Sequence, residues 1–138
     1  MMIISRSLCA VFLLSGLCSC GTSPTLQLNL TSSTAFSDTN VKDIVFVIQN
    51  IPTNGNGLDQ NQDGQPDTFV YPDTCGASQP TGCGFAPQHG TFTVGDLPLN
   101  FQYSVTVKLR SSTGTTLHSG TATFNNVKNA PAVSLAVN

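Results

Sequence analysis

The chain has 138 residues and only 9% charged side chains, with five Lys plus Arg against seven acids that are all Asp. A net charge of −2 and a pI of about 5.3 exclude the clustered basic face that nucleic-acid binding needs. Hydrophobic residues reach 39%, enough for one core, while strong helix formers are scarce and Thr, Ser, Asn and Gly abound. The expectation is a single all-β domain outside the cytosol.

Residues 1–19 read as a signal peptide. Arg6 supplies the positive start, Leu8 to Leu17 form a short apolar stretch, and small residues follow. About ten apolar residues fall short of the roughly 20 that cross a bilayer. Leu17-Cys18-Ser19-Cys20 resembles the lipobox of bacterial lipoproteins, with Cys18 as a departure from the small residue usual there. The resemblance implies that Cys20 is lipidated and becomes the new N-terminus. It implies a lipid bilayer as the first partner, and Gly21 in place of Asp favours the bacterial outer membrane, on its periplasmic face or at the cell surface. Residues 20–25 then form a short tether. Two or three acyl chains hold durably where one holds marginally.

On that reading the cysteines divide cleanly. Cys9 and Cys18 leave with the signal peptide, Cys20 is acylated, and Cys75 and Cys83 remain as a disulfide pair. Zinc held by Cys75, Cys83 and His89 is the rival, but the spacing is not compact and no fourth ligand stands out.

From residue 26 to 138 the chain reads as strands. Leu26, Leu28 and Leu30 alternate with polar neighbours, as in a half-buried strand. Ile44-Val45-Phe46-Val47-Ile48 is continuous and suits a central strand covered on both faces. Asn50 and Pro52 end it, and residues 52–87 read as a long insertion. Thr91 to Val94 alternate again. Phe101, Tyr103, Val105, Val107 and Leu109 then point one way, with Gln102, Ser104, Thr106, Lys108 and Arg110 pointing the other. Thr115 to Phe124 returns after Gly114, with a bulge expected near Gly120 because Leu117 falls out of phase with Ala122 and Phe124. Val133, Leu135 and Val137 make a last strand. Over residues 91–138 this pattern resembles bacterial Ig-like and prealbumin-like modules. The resemblance implies an antiparallel β-sandwich without intrinsic activity.

The insertion holds the one chemical motif. Asp59-Gln60-Asn61-Gln62-Asp63-Gly64-Gln65-Pro66-Asp67 resembles the calcium loops of EF-hands and thrombospondin type 3 repeats. Oxygens at positions 1, 3 and 5 converge when the backbone curls, Gly at position 6 permits the turn, and position 7 offers its carbonyl. Carried over, the ligands are Asp59, Asn61, Asp63, the Gln65 carbonyl and Asp67. Val70 stands where an EF-hand has its bidentate Glu, so the thrombospondin-like version fits better, with Asp73 as a further candidate oxygen. Calcium would be structural. A solvated turn uses the same residue types and stays open.

Phe69, Val70, Tyr71 and Phe85 flank these pinned regions, either as an exposed contact surface or as a docked loop burying its own aromatics. No nucleophile–base motif is legible, so no enzyme is expected. Two functions follow: a non-catalytic binding or adhesion module for a protein or glycan ligand, and an architectural lipoprotein packing against other envelope proteins.

Overall fold

The computed structural model describes residues 25–32, 34–53, 57–76, 78–95 and 97–138. The signal peptide, the lipobox and Cys20 lie outside the described residues. Seven strands appear among those described: β1 (Leu26–Thr31), β2 (Asp43–Ile51), β3 (Thr68–Tyr71), β4 (Gly90–Val94), β5 (Phe101–Arg110), β6 (Thr116–Asn126) and β7 (Val133–Ala136). They build a three-stranded sheet, β4-β1-β7, and a four-stranded sheet, β3-β2-β5-β6. The only helical pieces described are two three-residue 3₁₀ turns, Ala35–Ser37 and Asp73–Cys75.

The alternation read in the sequence sets which face is inside. Leu26, Leu28 and Leu30 meet Phe92 and Val94 of β4 and Leu135 of β7, and all are buried. From the other sheet come Ile44, Phe46, Ile48, Tyr103, Val105, Val107 and Leu109. Phe46 packs edge-on against Phe92 and Phe85, with ring centroids 5.1 and 5.8 Å apart, and joins the two sheets. Burying one such side chain is worth about 1.5–3 kcal/mol.

The continuous apolar run of β2 has the cause expected of it. β2 lies between β3 and β5, its inward residues enter the core, and outward-facing Val45 is also fully buried. Segment 79–83 is hydrogen-bonded to Asp43, Lys108 and Arg110 around Val45, so a loop covers the outer face there.

Three expectations need correction. The pairing is not wholly antiparallel: β7 runs parallel to β1, in register Leu30↔Leu135. The connection 127–132 carries the chain from one sheet to the other and delivers β7 to the free edge of β1. Residues 52–87 are not one loop either, because β3 inside them extends the larger sheet, in register Ile48↔Phe69. The bulge falls at Leu117, since the β5–β6 register passes from Leu109↔His118 to Arg110↔Thr116. Gly120 is in regular register opposite Val107, and its missing side chain serves a close approach: a Cβ there would stand 2.0 Å from the Ala136 carbonyl oxygen. Arg110 shares the outward face of Lys108 as expected, and segment 79–83 covers it, leaving it 2% exposed.

Candidate functional site

The Asp loop is fixed to the sheet by four hydrogen bonds, two between backbone groups and two through the Asn50 side chain. The Asn50 N–H donates to the Asp67 carbonyl at 2.9 Å, and the Asp67 N–H donates to the Leu58 carbonyl at 2.8 Å. The Leu58 N–H donates to Asn50 Oδ1 at 2.7 Å, and Asn50 Nδ2 donates to the Gln102 carbonyl at 3.0 Å. Asn50 is 1% exposed, so it is no strand terminator but the buried bracket of the loop. A buried amide must be hydrogen-bonded, and here both ends of it are used.

Within the loop the side chains fold onto the backbone. Asp59 accepts from the N–H groups of Asp63 and Gly64, at 3.1 and 2.9 Å. Asn61 Oδ1 accepts from the Asp63 N–H, and its amide donates to Asp63 Oδ2 at 3.0 Å. Asp63 Oδ1 accepts from the Gln65 N–H at 2.8 Å. Asp67 takes the Gln60 N–H on both oxygens. Gly64 stands at φ 79°, the left-handed conformation that the turn position of such a loop requires.

Every donor to these carboxylates is therefore neutral, and each carboxylate oxygen keeps a second lone pair. Asp59 and Asn61 share the Asp63 N–H, whereas Asp63 and Asp67 are held by the Gln65 and Gln60 N–H groups of the same curl. Among the described residues no three His, Cys, Asp or Glu side chains converge to metal-holding distance. The negative charge is felt in the core behind the loop. Burial first, and then the charge of Asp67, push the phenol of Tyr103 up to about 12. Asp73 sits at the opposite end of β3 from Asp67, beyond four extended residues that span about 13 Å.

The second pinned region is at that far end. Cys75 and Cys83 are bonded, with S–S 2.05 Å and Cα–Cα 5.0 Å. His89, the third residue of the zinc alternative, packs edge-on against Phe36 with centroids 6.1 Å apart.

A buried ion pair that the sequence reading did not single out clamps the disulfide loop to the sheet. Arg110 Nε and one terminal nitrogen grip the two Asp43 oxygens at 2.7 and 2.8 Å. The other terminal nitrogen donates to the Gln79 carbonyl at 2.6 Å, and the Pro80 carbonyl is reached at 3.0 Å. Asp43 in turn accepts from the Gly82 N–H at 2.9 Å. The signal available in the sequence was a lone Asp at the head of a buried apolar run, which needs a cation when desolvated.

The aromatics are docked. Tyr71 is 9% exposed, its hydroxyl donates to the Gly95 carbonyl, and Phe69 and Phe85 pack against the core. The remaining histidine, His118, meets Asp38 at 3.0 Å with both side chains partly exposed. The Asp38 carboxyl is held below its ordinary range by the Asn40 N–H first and His118 second. No family model, curated protein or solved structure matches this chain.

Proposed function

We propose that this chain is a lipid-anchored protein of a bacterial outer membrane, whose Ig-like or prealbumin-like sandwich is a non-catalytic binding module stiffened by a calcium-stabilised loop. One observation carries the calcium reading. Three carboxylates and an amide share one glycine-turned curl, and only neutral donors offset their charge. Hard oxygen donors in a flexible loop suit calcium over softer metals. Asp59, Asn61, Asp63 and Asp67 would hold the ion with the Gln65 carbonyl. When bound, it would offset the mutual repulsion of the aspartates.

The sandwich assignment is supported by the corner before β5. The Tyr103 hydroxyl donates to the Pro98 carbonyl at 2.9 Å, five residues upstream, which is the hydrogen bond of a tyrosine corner. The docked aromatics remove the loop as an apolar contact face, and the surface of the described residues likewise offers no sandwich patch for architectural packing. Leu117 and Val127 are the exposed large hydrophobics among the described residues, and they stand singly rather than as a patch. A partner would then be met by hydroxyl and amide groups, since the outward faces of β1, β4 and β6 carry Gln27, Thr91, Thr93, Thr121 and Thr123.

Calcium titration calorimetry on the mature chain tests the loop. The expected affinity is on the order of 10⁻⁴–10⁻³ M, as in extracellular modules, and Asp63→Ala should abolish it. No heat at about 10 mM calcium would return the loop to a plain solvated turn. Metabolic labelling with a palmitate analogue tests the anchor, and label that persists in Cys20→Ala would refute it.

A further inference from the structure

We propose that the end of the sandwich carrying the Asp loop is seated on the bilayer surface, with the turn at Val127 and Lys128 as its contact, and that the disulfide end is turned away from the membrane. This deepens the lipoprotein reading and rests on it. The strand registers sort the connections into two groups. Leu26 faces Val94, so Thr25 and segment 95–100 share an end. That segment delivers the chain to Phe101, which faces Asn126, while Gln102 faces Ile51. The Asp loop after β2 and the turn 127–132 after β6 therefore stand at the same end as Thr25. At the other end Asp43 faces Arg110, and the disulfide loop, the β5–β6 turn and Asn138 gather there.

The tether fixes which end meets lipid. Cys20 precedes Thr25 by five residues, a reach of at most about 18 Å at ~3.5 Å per residue. The ten residues of β5 alone span about 33 Å at ~3.3 Å each. An acylated Cys20 thus holds the Thr25 end close to the headgroups and leaves the disulfide end beyond them.

The near end has a contact suited to that position. Val127 is 46% exposed and Lys128 is exposed beside it. Their turn is stiff: buried Asn126 donates to the Leu97 and Pro98 carbonyls at 2.9 and 3.1 Å, and the Ala130 N–H closes on the Val127 carbonyl at 3.0 Å. An apolar side chain next to an ammonium, presented on a fixed turn, matches the boundary between acyl chains and phosphates. Leu117 is the other exposed large hydrophobic among the described residues, and it lies at the far end, where the tether keeps it from lipid.

The test uses the acylated mature protein, beginning at Cys20, in vesicles of phosphatidylethanolamine and phosphatidylglycerol containing a doxyl-labelled lipid. Val127→Cys and Ser112→Cys each offer one new thiol for a fluorophore, because Cys75 and Cys83 are joined and Cys20 is acylated. Quenching several-fold stronger at position 127 than at 112 is expected. Equal quenching, stronger quenching at 112, or none at either position on vesicle-bound protein overturns the orientation. Should a labelled variant fail to fold, hydrogen exchange on the unsubstituted protein decides. Vesicles should protect 127–132 and leave 111–115 unchanged, and the reverse pattern, or no protection of 127–132, overturns the proposal. Protein that neither floats with vesicles nor carries an acyl mass refutes the lipoprotein reading itself, and the orientation falls with it.

Discussion

Arg110→Met tests the clamp on the disulfide loop. The substitution keeps an unbranched stem of similar length and deletes the guanidinium. Asp43, 3% exposed, then keeps only the Gly82 N–H, and the Gln79 and Pro80 carbonyls lose their donor. Removing one partner of a buried pair costs about 3–5 kcal/mol, because the other charge stays desolvated. A domain of roughly 110 residues unfolds with an entropy near 0.24 kcal/mol/K, so Tm should fall by about 13–20 °C. Urea unfolding of the mature chain, with the disulfide intact, measures the loss directly. The double variant Asp43→Leu/Arg110→Met should recover most of it, since an apolar pair of similar volume often does as well as a buried ion pair. A loss under about 1 kcal/mol in the single variant, or no recovery in the double, would refute the claim that these charges are desolvated and mutually dependent.

Two further outcomes are expected. Gly120→Ala should cost on the order of 1–3 kcal/mol in thermal melts, because the new Cβ meets the Ala136 backbone and must push β7 from β6; a change within about 0.5 kcal/mol would mean the strands part freely. Tyr103 should ionise only near pH 12, so the stability its neutral phenol contributes is complete below pH 10 and is lost as pH rises through about 12; in chelator, Asp67→Asn should move the phenolate absorbance change to lower pH without reaching the ordinary value, and an unmoved curve would show that the Asp67 charge does not act on Tyr103.

Five of the seven strands were legible because their alternation is local: a residue's neighbours two places away share its face, whatever lies across the sheet; β2 was legible from its continuous apolar run. β3 was not, because Thr68-Phe69-Val70-Tyr71 is four residues between proline-containing segments, and only its pairing with β2 makes it a strand. The parallel placement of β7 depends on the free edge of β1, a fact of assembly rather than of pattern. The phase break in β6 was visible, yet its position was not, since one extra residue at Leu117 and a close approach at Gly120 disturb the alternation alike. The Asp loop was legible as a unit for the same local reason: its side chains bond to backbone groups two to seven residues away. Its bracket Asn50 and the clamp Asp43–Arg110 were not, because their partners lie 52 and 67 residues distant.

Those distant partners explain how the described parts of so long an excursion are held. Fixing a residue costs about 1–2 kcal/mol of backbone entropy, while a hydrogen bond returns about 1 kcal/mol net. A four-residue edge ladder therefore cannot by itself hold the described residues between β2 and β4 in place. The apolar contribution comes from Phe69, Tyr71 and Phe85, which is the physical reason these aromatics are spent on docking and not offered to a partner. The polar contribution is divided between the ends of β3. Asn50 fixes the Asp loop to the ends of β2 and β5. Arg110 and Asp43 fix the other loop, whose disulfide removes a further ~2.5 kcal/mol of unfolded-state entropy for so short a ring. Each set of bonds stays at its own end, and only β3 and its neighbours lie between. The two loops are thus separately anchored to one sheet, the Asp loop through Asn50 and the disulfide loop through Asp43 and Arg110.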